Sequence, residues 1–119
     1  LKRDNVDLNE QITDTARRIR RSLGAGIECL LELSNEQPVV AVDSSRLHNA
    51  LLNLALNARD AMEGQGRLMI ETLTVDIAQD SIPEGTRLKP GAYAIIRIMD
   101  TGAGMAAEVL TRATEPFFT

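Results

Sequence analysis

Asn49-Ala50-Leu51-Leu52-Asn53-Leu54-Ala55-Leu56-Asn57-Ala58-Arg59-Asp60-Ala61-Met62 is the stretch whose reading decides the fold. At about 100° per residue, Arg46, Asn49, Asn53, Asn57 and Asp60 fall on one narrow stripe. Leu47, Leu51, Leu54, Ala58, Ala61 and Met62 form an apolar arc beside it. This is the pattern of a helix with one face on a core. Asparagine is a poor helix former, so three on one line weaken the helix unless something uses their oxygens and amides. A hydrated hard cation could use a carboxamide oxygen. A hydrogen-bond network to another helix or a loop would satisfy the same groups.

Working outward, Asp43, Ser44 and Ser45 offer N-caps for this helix, and Gly64 and Gly66 stop it. Upstream, Leu8, Ile12, Ala16 and Ile19 recur at helical spacing through Val6 to Ser22, which predicts an amphipathic helix starting near Asp7 or Asn9 and ending at Gly24 and Gly26. Residues 27–33 and 39–42 read as short strands. Downstream, Arg67 to Val75 favours a strand by its β-branched content, and residues 76–90 read as a loop. Ala92 to Met99 is a strong strand whose closely spaced Ile95, Ile96 and Ile98 predict burial on both faces. A glycine loop and a short helix complete the order. The expected class is α+β, a mixed sheet with helices over one face.

Asp100-Thr101-Gly102-Ala103-Gly104-Met105 follows that last strand directly. A carboxylate at a strand end suits an exocyclic amino group, and Gly102 and Gly104 permit unusual backbone angles or close ligand approach. A plain turn would use the same residues. No GxGxxG and no lysine after the glycines are present, so neither a dinucleotide fold nor a P-loop is indicated. His48, the only histidine, lies about 140° from Asn53 on the wheel and is expected on the surface or packed, away from the stripe. Taken in order, the asparagine helix and the Asp100 loop read as a nucleotide site.

The totals narrow the alternatives. The 119 residues, 44% hydrophobic and 25% charged, suit one globular domain with a modest core. A net charge of −4 and a pI near 5.0 argue against general affinity for nucleic acid or anionic membrane. No apolar run nears the roughly 20 residues of a membrane helix, so no direct membrane insertion of this segment is expected. Arg17, Arg18, Arg20 and Arg21 read as a solvated helix face. Cys29 is the only cysteine, which excludes an intrachain disulfide and a thiolate zinc site.

Three motifs, in this order, make the chain resemble the catalytic and ATP-binding domain of sensor histidine kinases, within the wider group of gyrase-type, chaperone and mismatch-repair ATPases. Asn49 to Met62 looks like the N box, Asp100 to Met105 like the first glycine box, and Glu115-Pro116-Phe117-Phe118-Thr119 like the F box. The resemblance implies a Bergerat-type two-layer α/β sandwich spanning residues 1–119. The second glycine box and the final strand and helix of that fold are missing from it.

By position, the resemblance implies Asn57 as the main Mg²⁺ ligand. Asn53 would support the metal and the phosphates and act as the catalytic amide. Asp100 would accept from the adenine amino group. Gly102 and Gly104 would admit the nucleotide, with Asp60, Met105 and Phe118 also bordering the ATP, and Phe117 and Phe118 anchoring a lid. In the related hydrolases a glutamate stands where this chain has Asn53; an amide cannot serve as that base, which fits a kinase. Thr114 replaces the aromatic residue usual before the F box.

The implied partners are a histidine-containing dimerisation domain of the same parent and a response-regulator receiver domain. The implied setting is a cytoplasmic domain of a homodimeric parent, whose anchor, if it has one, lies elsewhere. A nucleotide-binding regulatory module without kinase activity, and an interaction domain that binds no nucleotide, are the rival readings.

Overall fold

The computed structural model describes residues 4–101 and 104–113. Its elements run β1 (Asp4–Asp7), α1 (Leu8–Leu23), β2 (Ile27–Glu32), β3 (Val39–Val42), α2 (Ser44–Ala61), β4 (Gly66–Ile77), β5 (Gly91–Asp100) and β6 (Gly104–Arg112). A single 3₁₀ turn, Gln79–Ser81, lies in the β4–β5 connection.

Both helices begin where short acidic side chains can cap them. The Asp7 carboxylate accepts from the Glu10 amide at 3.2 Å. Asp43 accepts from the Ser45 and Arg46 amides at 3.1 and 3.2 Å, satisfying first-turn donors that have no partner within the helix. Helix α1 ends at Gly24, whose φ of +82° a residue with a Cβ adopts only at a cost.

β2, β4, β5 and β6 form one mixed sheet in that order, with β2 parallel to β4 and the other neighbours antiparallel. β1 and β3 form a separate antiparallel pair, linked to the end of the larger sheet by a bridge between Val40 and Ala113. Leu8, Ile12, Ala16 and Ile19 of α1 and Leu51, Ala55 and Ala58 of α2 are buried with Leu68, Ile70, Ala94, Ile96 and Ile98 of the sheet. The architecture is thus α+β in two layers, helices over one face of a mixed sheet, as the residue pattern predicts.

Four details differ from expectation. Val6 lies in a short strand, β1, that the pattern did not indicate, while α1 starts at Leu8 with Asp7 as its cap, where its start was expected. On α2, Leu51 and Ala58 of the expected arc are buried and Leu47, Leu54 and Met62 half-buried against the core, but the arc extends to Ala55, Leu52 and Leu56, and Ala61 is exposed. β5 is fully buried along one face only. Ala94, Ile96 and Ile98 face the helices, whereas Ile95, Arg97 and Met99 are half-buried on the other side. Arg97 pairs there with Glu71 at 3.2 Å and Glu108 at 3.0 Å, a charged row that a second covering layer would have to desolvate. Finally, the short helix expected after the glycine loop is strand β6 instead. Pairing there gives β5 a partner along an edge that would otherwise expose unpaired backbone groups, and tertiary pairing of this kind overrides a weak local helix preference.

Candidate functional site

Helix α2 contacts β4, β5 and β6, and its polar line faces away from the core. Asn49, Asn53, Asn57 and Asp60 are all exposed. Among the described residues, none of the three asparagine side chains makes a hydrogen bond within the chain, and Asp60 meets only the neighbouring Arg59, at 3.4 Å. Among the described residues, the hydrogen-bond network that would otherwise account for the asparagines is therefore not made. Their amides remain available to a ligand, at the cost in helix propensity noted above.

Asp100 closes β5 and is 9% exposed. Its Cα is paired with Leu68 on one side and Gly104 on the other. Gly104 and Met105 begin β6, Met105 pairing with Met99, and the ladder shifts register between Ile98 and Met99. β5 and β6 are thus antiparallel neighbours that meet at the Asp100 and Gly104 pair. Gly102, Ala103, Thr114 and the Glu115-Pro116-Phe117-Phe118-Thr119 stretch, including the expected nucleotide-bordering Phe118, lie outside the described residues.

The helix end and the strand end are tied directly. Met62 caps α2, and its Sδ accepts from the Thr101 hydroxyl at 3.6 Å. The same hydroxyl accepts from the Arg67 amide at 3.3 Å. Asn53, Asn57 and Asp60 thus belong to a helix that is pinned, at its own C-terminus, to the residue after Asp100. Neither Met62 nor Thr101 was singled out by the sequence reading. Both stand inside its motifs, but only folding brings a thioether and a hydroxyl 39 positions apart together.

His48 sits elsewhere, half-buried between the helices with Nδ1 3.4 Å from the hydroxyl of buried Thr15. This is the packed place, away from the asparagine line, that its wheel position predicts. A cleft of about 530 Å³ opens at the start of α1, lined by Asp7, Asn9, Glu10, Asp14, Arg17 and others, and contains none of the predicted site residues. Its rim is acidic, with Arg17 already paired to Asp14 at 3.4 Å, which disfavours a polyphosphate. Among the described residues no helix is long and apolar enough to cross a membrane.

Comparison with known proteins bears on the same two segments. The family model described as histidine kinase-, DNA gyrase B- and HSP90-like ATPase matches residues 42–119, a span that starts at the end of β3 and takes in α2 and the Asp100 hairpin. The chain belongs to this family. It is 30% identical over 119 residues to the sensor kinase CckA of Brucella abortus (strain 2308), covering all of this chain and 13% of that protein. A putative sensor protein of Shewanella frigidimarina (strain NCIMB 400) is 31% identical over 115 residues, 96% of this chain and 15% of its own length. The chain therefore spans less than a sixth of these relatives.

Among solved structures, the mycobacterial sensor histidine kinase MprB superposes with a TM-score of 0.60 at 26% identity, covering 84% of this chain and 56% of that one. The catalytic domain of the histidine kinase ThkA does so with a TM-score of 0.57 at 22% identity, covering 86% and 60%; at that identity the likeness concerns the fold. Relatives and neighbours alike place this chain among the ATPase catalytic domains of sensor histidine kinases.

Proposed function

We propose that this chain binds Mg²⁺-ATP between α2 and the Asp100 hairpin and serves as the catalytic part of a protein-histidine kinase. The observation that carries this reading is the exposed line of Asn49, Asn53 and Asn57, whose amides make no hydrogen bond among the described residues, on a helix pinned beside the buried carboxyl-bearing end of β5.

The donors fit the ions proposed. Asn53 and Asn57 offer neutral amide oxygens, hard donors that suit Mg²⁺ as part of a shell completed by water and phosphate oxygens, and poorly suit a cation held by protein alone. Asp100 supplies the acceptor that discriminates an amino-bearing base, and its burial strengthens any hydrogen bond it makes to one. Gly102, Gly104, Met105 and Phe118 would complete the nucleotide's surroundings. When bound, ATP supplies the phosphoryl group and Mg²⁺ the charge neutralisation. The chain's own work is to orient the triphosphate and to leave the reacting end without a general base. Asn53 cannot deprotonate water, so hydrolysis is slow, and catalysis rests on positioning for an imidazole presented by a dimerisation domain. Relay from that histidine to a response-regulator aspartate in the cytoplasm completes the proposed role, in a homodimeric parent.

The test is calorimetric titration of the full-length protein with a non-hydrolysable ATP analogue, with and without Mg²⁺. Asp100→Asn is expected to weaken binding by about tenfold or more, as loss of a charged acceptor does, and Asn57→Ala to make binding insensitive to Mg²⁺. Incubation with ATP is expected to leave acid-labile phosphate on the wild type. A folded wild type that takes up no nucleotide would sink the proposal; one that binds but never phosphorylates would reduce it to a nucleotide-responsive module.

A further inference from the structure

Immediately beyond Asp100, three elements close on one another. The Thr101 amide donates to the Arg67 carbonyl at 3.2 Å. The Arg67 amide donates back, to the Thr101 hydroxyl at 3.3 Å. A side-chain oxygen thus stands where a backbone carbonyl would continue the ladder, carrying the β4–β5 pairing one step past the Leu68 and Asp100 pair. The hydroxyl's single proton goes to Met62 Sδ at 3.6 Å. Beneath both lies Gly66, with φ +149°; a Cβ there would stand 2.6 Å from Met62 Sδ and 2.9 Å from the Thr101 hydroxyl oxygen. Only a glycine leaves room for this contact.

We propose that Thr101 and Met62 are positioning residues, which fix how far the Asp100 carboxylate stands from the asparagine line of α2. The inference rests on the nucleotide-site reading above and assigns that site its means of base selection. Thr101 is covalently next to Asp100, and Met62 lies five residues beyond Asn57 on the same chain turn that ends α2. A single hydroxyl therefore couples the base-reading group to the metal-holding helix. Without it the pairing past Asp100 rests on the Thr101 amide alone and the tie to Met62 is lost, so the carboxylate gains freedom at the point where a hydrogen bond needs a fixed distance and direction. Thr101 is exposed, so water can replace its hydrogen bond to Arg67; removing the hydroxyl alters geometry more than folding.

The experiment compares the affinities of the full-length protein for ADP and for inosine 5′-diphosphate, which carries a keto oxygen in place of the exocyclic amino group. The wild type is expected to prefer ADP by about tenfold or more, since a site built to pair with a polar group rejects an analogue lacking it. Thr101→Val and Met62→Leu should each bring that preference to about threefold or less, an amount typical of one weakened hydrogen bond, and Thr101→Ser should restore it. A merely structural role would weaken both nucleotides alike and leave their ratio unchanged. Folded Thr101→Val or Met62→Leu proteins that keep the wild-type ratio would overturn the inference and leave the nucleotide site standing. A folded wild type that binds neither nucleotide would overturn both.

Discussion

Replacing Thr72 by valine removes one hydroxyl from the middle of β4 and keeps the branched shape. Thr72 is 2% exposed. Its hydroxyl donates to Asn9 Oδ1 at 2.8 Å and accepts from the Ser34 amide at 2.8 Å, while Asn9 Nδ2 donates to the Ser34 carbonyl at 2.7 Å. The triangle joins the first turn of α1, the β2–β3 connection and the sheet. Loss of two hydrogen bonds costs about 2 kcal/mol at roughly 1 kcal/mol each. Asn9 and Ser34 are half-buried, so their stranded groups partly reach water and add about 1 kcal/mol. The extra buried methyl returns about 0.8 kcal/mol.

A net loss of about 2 kcal/mol is expected, read as a lower urea midpoint with an unchanged slope. Asn9→Ala breaks the same triangle. The double variant should therefore cost less than the sum of the singles, by about 0.5 kcal/mol or more. A loss below about 0.5 kcal/mol for Thr72→Val, or strict additivity, would refute the view that this triangle acts as one unit.

Two further outcomes are expected. Asp43→Ala removes the acceptor for the Ser45 and Arg46 amides and should cost about 1 kcal/mol in the same denaturation experiment, because the start of α2 loses its cap while its packing is untouched. Burial pushes the Cys29 thiol up, and the Arg20 guanidinium opposes this only in part. The unfolded chain therefore gives up the thiol proton first, so this group's stabilising effect is whole below about pH 8.5, the unfolded thiol range, and is lost as pH rises beyond it. Between pH 8 and 10 the wild type should lose stability faster than Cys29→Ala; equal slopes would count against it.

The parts of the fold legible in the sequence are those where one physical requirement dominates. Leu8, Ile12, Ala16 and Ile19 must face a core, and they alone nearly define α1. Asp43 stands where α2 needs an acceptor, and the cap forms there. The asparagine line is legible for the opposite reason: it conflicts with helix propensity, and local conflicts of this kind concentrate at functional sites. β5 misled because closely spaced isoleucines state the hydrophobicity of a strand but not what covers each face; Arg97 in their midst, held by Glu71 and Glu108, was the sign of an open side.

β6 and the Met62–Thr101 contact were illegible on other grounds. Strand pairing is a bargain between distant segments. Residues 104–112 carry no strong alternation of their own, and the edge of β5 that they cover is not a property of their sequence. Likewise, nothing in a methionine at a helix end marks it as the partner of a threonine 39 residues away. Gly66 is the link that could have been suspected. It lies beyond the end of α2 and opens β4, where a glycine interior to a pairing strand weakens it unless another group comes close. In this chain the close groups are Met62 and Thr101. A glycine that begins a strand beside a helix carrying unused amides is therefore a reason to look for what it makes room for, and here that is the residue next to Asp100.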